Sequence, residues 1–87
     1  MSVKDERTPI GPKWVETGSS SLTHACWKSE GEQLWLAYGS GNVYRFVGVP
    51  KRWYDELMNA AKPARYVDKQ LRHRFDMKRL VGFSPPT

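Results

Sequence analysis

Few side chains in this sequence could do covalent chemistry. Cys26 is the single cysteine, and His24 and His73 are the two histidines. A thiol nucleophile needs a base within hydrogen-bond reach. His24 lies two residues from Cys26, so on a strand the pair would share a face. The same cysteine equally fits a buried, inert small hydrophobe. No carboxylates cluster around the histidines, and a lone thiol excludes both an intrachain disulfide and zinc modules built on several thiolates. Ser19-Ser20-Ser21 lacks the glycines and the following lysine of a phosphate loop. Gly39-Ser40-Gly41 is followed by strand-like residues, where a dinucleotide fingerprint requires a helix. The expectation is a protein with no catalytic residues, no metal and no cofactor.

Binding chemistry is better represented. The net charge is +5, and all of the excess lies in the second half. Residues 1–47 carry five basic and five acidic side chains, whereas residues 48–87 carry nine basic against four acidic. Such asymmetry attracts a polyanion or an acidic protein face, although a solvated surface has the same composition. Lysine and arginine contact phosphates, and exposed aromatics stack bases. Arg45, Lys69, Arg72, Arg74, Lys78 and Arg79 are the candidate anion contacts, and Tyr44 is the candidate stacking residue. The expectation is that these late cations gather into a single accessible patch.

The elements that must carry these residues follow from periodicity. Leu22 to Lys28 is a short strand with mixed alternation, and Ser29-Glu30-Gly31-Glu32 reads as a turn. In Gln33 to Tyr38, Leu34, Leu36 and Tyr38 fall on one face, with Trp35 and Ala37 on the other. Gly39-Ser40-Gly41-Asn42 has hairpin length, and Val43 to Val47 is the third strand. Apolar residues on both faces imply partial cover on each side. Pro50 opens a helix in which Trp53, Tyr54, Leu57, Met58 and Ala61 share a face. A second helix is expected from Pro63 to about Phe75. Its apolar arc is Ala64, Val67, Leu71 and Phe75, and its basic arc is Arg65, Lys69 and Arg72. Met77 to Val81 fits a final short strand or an extended segment.

These elements predict an α+β fold: a three-stranded antiparallel β-meander followed by two short helices, with or without the final short strand. The expected organisation is an extended N-terminal arm over 1–18, a domain over 19–81 and a C-terminal tail over 82–87. Trp14 stands out in the arm, as a pin onto the domain or as a partner contact. Four tryptophans, four tyrosines and three phenylalanines supply enough apolar surface for the thin core of an 87-residue chain. No apolar run approaches the roughly 20 residues of a membrane span. The polar start is unlike a secretory signal, so a cytoplasmic protein is expected.

Read in order, the segment from Ser19 to about Leu80 resembles the KTSC domain family, known from the C-terminus of some lysyl-tRNA synthetases and from stand-alone bacterial and phage proteins. Ser19-Ser20 opens the match. Leu22, Trp27 and Leu34-x-Leu36-x-Tyr38 follow, then a glycine turn and Tyr44-Arg45-Phe46 at the family's Tyr-x-Tyr motif. Val49-Pro50, Tyr54, Leu57, Ala60, Tyr66, Leu71, Arg72 and Phe75 complete it. Phe46 replaces the second tyrosine, and Lys62-Pro63-Ala64-Arg65 replaces a small Ser-x-Gly-like turn. The resemblance implies a β-meander followed by helical segments, and its association with a synthetase implies RNA as the partner. The expected function is a non-enzymatic module that binds RNA or another polyanion. The alternatives are an adaptor or phage-type inhibitor docking on an acidic host-protein surface, and a binder of nucleotides or small anions.

Overall fold

The computed structural model describes residues 13–80. Its strands are β1 (Val15–Glu16), β2 (Leu22–Lys28), β3 (Gln33–Tyr38), β4 (Val43–Phe46) and β5 (Met77–Leu80). They form one five-stranded antiparallel meander in chain order. Between β4 and β5 run helix α1 (Lys51–Asn59) and helix α2 (Pro63–Tyr66), which passes directly into a π-helical turn over Val67–Leu71.

The three expected strands are present, and two more join them. β1 lies in the stretch read as an arm and pairs Val15 with Ala25 and Glu16 with His24. Two residues carry no periodicity, so this strand left no signal in the sequence. β5 is the optional final strand, paired along β4 from Phe46–Met77 to Val43–Leu80. The second helix is shorter than the expected Pro63 to Phe75. The Arg72 N–H donates to the Val67 carbonyl, five residues back, at 3.0 Å, and the chain then leaves the helix through bonds from Arg74 and Phe75 to the Leu71 carbonyl.

Alternation along the strands builds two apolar layers. Leu34 pairs with Phe46 and Leu36 with Tyr44, so these side chains share the face that the helices cover. There Leu22, Leu34, Leu36, Phe46, Val49, Leu57, Val67 and Leu71 are fully buried. Half-buried Trp27, Trp53, Tyr54 and Phe75 close the edges of this core. The Trp27 indole N–H donates to the Val49 carbonyl at 2.8 Å, which ties β2 to the approach of α1. The opposite face holds a smaller cluster of Cys26, Trp35, Ala37 and Val43, with Trp14 and Leu80 against it. Trp14 is therefore a pin onto the domain, and its ring stands edge-on to His24 at 6.4 Å.

The β3–β4 hairpin is closed by bonds between Tyr38 and the Asn42 carbonyl and between Gly41 and the Tyr38 carbonyl, both 2.9 Å. Gly41 takes φ +100°, which an L side chain resists. Gly39 is required for a different reason. A Cβ there would lie 2.4 Å from the Ser20 carbonyl oxygen, because the Gly39 N–H holds the Ser21 carbonyl at 2.8 Å. The hairpin thus clamps the loop that precedes β2.

Two substitutions test this packing by urea denaturation. Phe46→Ala should lower stability by roughly 3–5 kcal/mol through lost burial and a cavity. Gly39→Ala should cost roughly 1–3 kcal/mol through overpacking. A Gly39→Ala midpoint equal to that of the parent protein would show that the loop is not clamped.

Candidate functional site

The clamped loop forms one wall of a groove. The Thr17 hydroxyl donates to the Leu22 carbonyl and also lies 3.3 Å from the Thr23 carbonyl. Thr17 Oγ1 accepts the Ser19 N–H at 3.1 Å. Ser19 Oγ accepts the backbone N–H groups of Ser21 and Leu22 at 3.2 and 3.4 Å. A serine oxygen accepting two bonds keeps its own O–H to donate elsewhere. The other wall is the entry to α2, Ala61 to Arg65, and the groove between them encloses about 330 Å³. Arg65 and Lys62 also line an adjoining, mainly apolar groove of about 350 Å³ that reaches Tyr66, Lys69 and Gln70. Lys62, Arg65 and Lys69 are exposed. Among the described residues the ion pairs are Lys51–Asp55 and Arg72–Asp68, so these three cations have no carboxylate partner.

Beside this groove, where the β3–β4 hairpin meets the π-helical turn, lies a hollow of about 170 Å³. Tyr38, Ser40, Asn42 and Tyr44 line it from the sheet, and Asp68 and Arg72 from the helix. The Tyr38 and Tyr44 rings meet edge to face at 5.4 Å and 83°. Arg72 Nη1 donates to Asp68 Oδ1 at 3.2 Å. Burial first, and then the Asp68 carboxylate, push the Tyr38 hydroxyl up to about 12. Asp68 of the hollow precedes Lys69 of the adjoining groove, and Gly39, between Tyr38 and Ser40 of the hollow, is bonded to Ser21 of the groove wall. Groove and hollow therefore follow one another along a seam between the loop ends of the sheet and the 63–71 segment.

The residues singled out from the sequence fall in three places. Tyr44, Arg72 and Lys69 lie along the seam, with Arg79 directly opposite Tyr44 on β5. Arg45 and Lys78 lie on the other face of the sheet, paired across β4 and β5. Arg45 stacks over Trp35 at 5.8 Å, and its Nε is buried without a hydrogen-bond partner among the described residues. Arg74 belongs to a third group: it and Arg52 sit over Trp53 at 5.0 and 5.2 Å. The expected single patch is therefore divided. Strand alternation sends neighbouring residues to opposite faces, so Tyr44 and Arg45 separate, as do Lys78 and Arg79. The hydroxyl wall of Thr17, Ser19 and Ser21, together with Lys62, was missed. Its signal was the pairing of the opening serines with the Lys62-Pro63-Ala64-Arg65 turn, which only the fold brings together.

The covalent candidates are held apart from this seam. Cys26 is buried, and desolvation raises its thiol above the ordinary range. His24 Nδ1 engages the Thr23 hydroxyl at 2.9 Å. Among the described residues no group of three His, Cys, Asp or Glu side chains could hold a metal ion, and no helix is long and apolar enough to cross a membrane.

The family model for the KTSC domain matches residues 18–75, a span that includes every lining residue of the groove except Thr17. The crystal structure of a KTSC domain protein from Yersinia pestis superposes with a TM-score of 0.73 at 18% identity, covering 80% of this chain and 99% of that one. At that identity the likeness concerns the fold. No curated protein matches the sequence.

The tyrosine in the hollow gives a pH test. Its hydroxyl is held up to about 12 from an ordinary value near 10, so the unfolded state loses this proton first. The stabilising effect is complete below pH ~10 and is lost as pH rises towards ~12. Chemical denaturation across that range should show stability falling less steeply in Tyr38→Phe than in the parent protein. Identical slopes would contradict this environment for Tyr38.

Proposed function

The chain belongs to the KTSC domain family, and on that premise we propose that it is a non-enzymatic module that grips the phosphate backbone of RNA along the seam. One observation carries this reading: Lys62 and Arg65 line a groove walled by hydroxyls, Lys69 lines the groove adjoining it, and none of the three has a carboxylate partner among the described residues. Like charges left together without carboxylates repel one another, and a polyanion relieves that repulsion. The Arg65 guanidinium matches the oxygen geometry of a phosphate, and the lysines act as mobile point charges. The Ser19 O–H, which has no acceptor among the described residues, adds a neutral donor to the wall of the groove. Exposed cations and hydroxyls select the backbone rather than the sequence of a strand. No step of bond making is required of any side chain in the seam.

A second reading, an adaptor docking on an acidic protein surface, is favoured by a separate observation. Arg45 and Lys78 oppose each other across two strands and line one hollow with Val47 and Asp76, so two cations face a single carboxylate there and the surplus positive charge suits an acidic partner. A protein recovered from nuclease-treated lysate and lost on Lys78→Glu would support it. Retention unaffected by that change would count against it.

Fluorescence anisotropy with a labelled uridine octamer tests the backbone reading. Affinity should fall as salt rises, with a log–log slope of about −0.7 for each phosphate neutralised on a single strand. The double variant Lys62→Ala/Arg65→Ala should reduce the slope by roughly 1.4. Lys78→Ala, on the other face, should leave it unchanged. Absence of salt-sensitive binding at low ionic strength would overturn the proposal.

A further inference from the structure

The hollow at the end of the seam has a different chemistry from the groove. Its walls carry both signs of charge and an aromatic ring, whereas the groove carries cations and hydroxyls. We infer that this hollow is a base-reading pocket that selects guanine, with Tyr44 as its stacking wall and the Asp68–Arg72 pair as its reading edge. The inference rests on the backbone reading above, because the adjoining groove is what brings a nucleotide to the pocket.

Asp68 and Arg72 point to guanine among the bases. They stand side by side, and Arg72 Nη1 engages Oδ1 of Asp68 at 3.2 Å. The other carboxylate oxygen and the remaining guanidinium N–H groups make no bond among the described residues. The reading edge therefore presents acceptors beside donors. Guanine alone offers two neighbouring N–H donors, N1 and N2, next to the O6 acceptor. A carboxylate accepts the two donors together, and an arginine reaches O6 or N7. Uracil offers a single donor flanked by acceptors. Cytosine and adenine each offer one amino group, so neither satisfies both oxygens of the carboxylate in this way.

The aromatic side is in register with that edge. Tyr44 is half-buried, and Tyr38 meets it edge to face, which fixes the plane of the ring. Base–aromatic stacking is indifferent to base identity and supplies affinity, leaving discrimination to the polar edge. Tyr38, Asp68 and Arg72 line the same hollow, so the three groups converge on one space. Ser40 and Asn42 complete the rim and can bridge to the ribose or to N7. The hollow measures about 170 Å³, room for a single base.

The test uses the full chain and four labelled octamers: all-uridine, and uridine with one central guanosine, adenosine or cytidine. The guanosine octamer should bind roughly tenfold more tightly than all-uridine, the size of one good bidentate contact. The adenosine and cytidine octamers should stay close to all-uridine. Asp68→Asn should abolish the guanosine preference, read as the ratio of guanosine-octamer to all-uridine affinity. All-uridine binding itself should not weaken, because the change releases Arg72 as a further cation and an exposed i,i+4 pair contributes little to the fold. Asn42→Ala, which keeps the carboxylate, should retain most of the gain. If all four octamers bind the parent protein equally, the pocket is overturned while the backbone reading stands. If no octamer binds but guanosine monophosphate does, and loses affinity on Asp68→Asn, the backbone reading fails and the pocket stands. Binding of neither overturns both.

Discussion

The burial of Val67 and Leu71 against Phe46 and Leu22 is the contact on which the rest depends. All four are fully excluded from solvent. They fasten the 63–71 segment across one face of the meander. That fastening creates a line where a helical surface meets the loop ends of a sheet, and polar groups from distant parts of the chain collect along it. Without it Lys62, Arg65, Lys69 and Arg72 would be ordinary solvated cations. The π-helical turn belongs to the same arrangement. Its wider winding keeps both Val67 and Leu71 inward within a short element, while Asp68, Lys69 and Arg72 remain exposed.

The sheet also partitions charge. Period-two alternation gives each strand one side chain for the seam and the next for the opposite face. Tyr44 and Arg79 go to the seam side, and Arg45 and Lys78 to the other. A net charge concentrated in half the sequence therefore becomes a charge distributed in space. The seam is distinguished less by its number of cations than by the state of those cations. Among the described residues Lys62, Arg65 and Lys69 have no carboxylate partner, whereas Arg72 is held by Asp68, and Arg52 and Arg74 lie over Trp53.

Much of this was legible in the sequence. The alternation in Leu34-Trp35-Leu36-Ala37-Tyr38, bracketed by glycine turns, specified the central hairpin and its two faces. The spacing of Trp53, Leu57 and Met58 specified α1, and the run from Ser19 to Phe75 specified the family. β1 was not legible, because two residues have no period and the strand exists through its partners in β2. The early end of the second helix was equally hidden, since backbone bonds to Val67 and Leu71 decide it. Half of the candidate site was readable as residue types, in Tyr44, Lys69 and Arg72. The other half was not, because Ser19 and Lys62 lie far apart in the chain and only the clamp at Gly39 and the docking of α2 make them neighbours. The separation of Lys78 from Arg79 was readable in principle from strand parity, once Met77 to Leu80 is accepted as a strand.

The central claim is that RNA lies along the seam rather than across the opposite face of the sheet, which carries Arg45 and Lys78. Backbone amide chemical shifts followed by NMR during titration with a uridine octamer test it residue by residue. The account predicts perturbations at Thr17 to Ser21 and at Lys62 to Lys69, with Arg45 and Lys78 unmoved. Shifts confined to Arg45, Val47 and Lys78, with a silent seam, would contradict it.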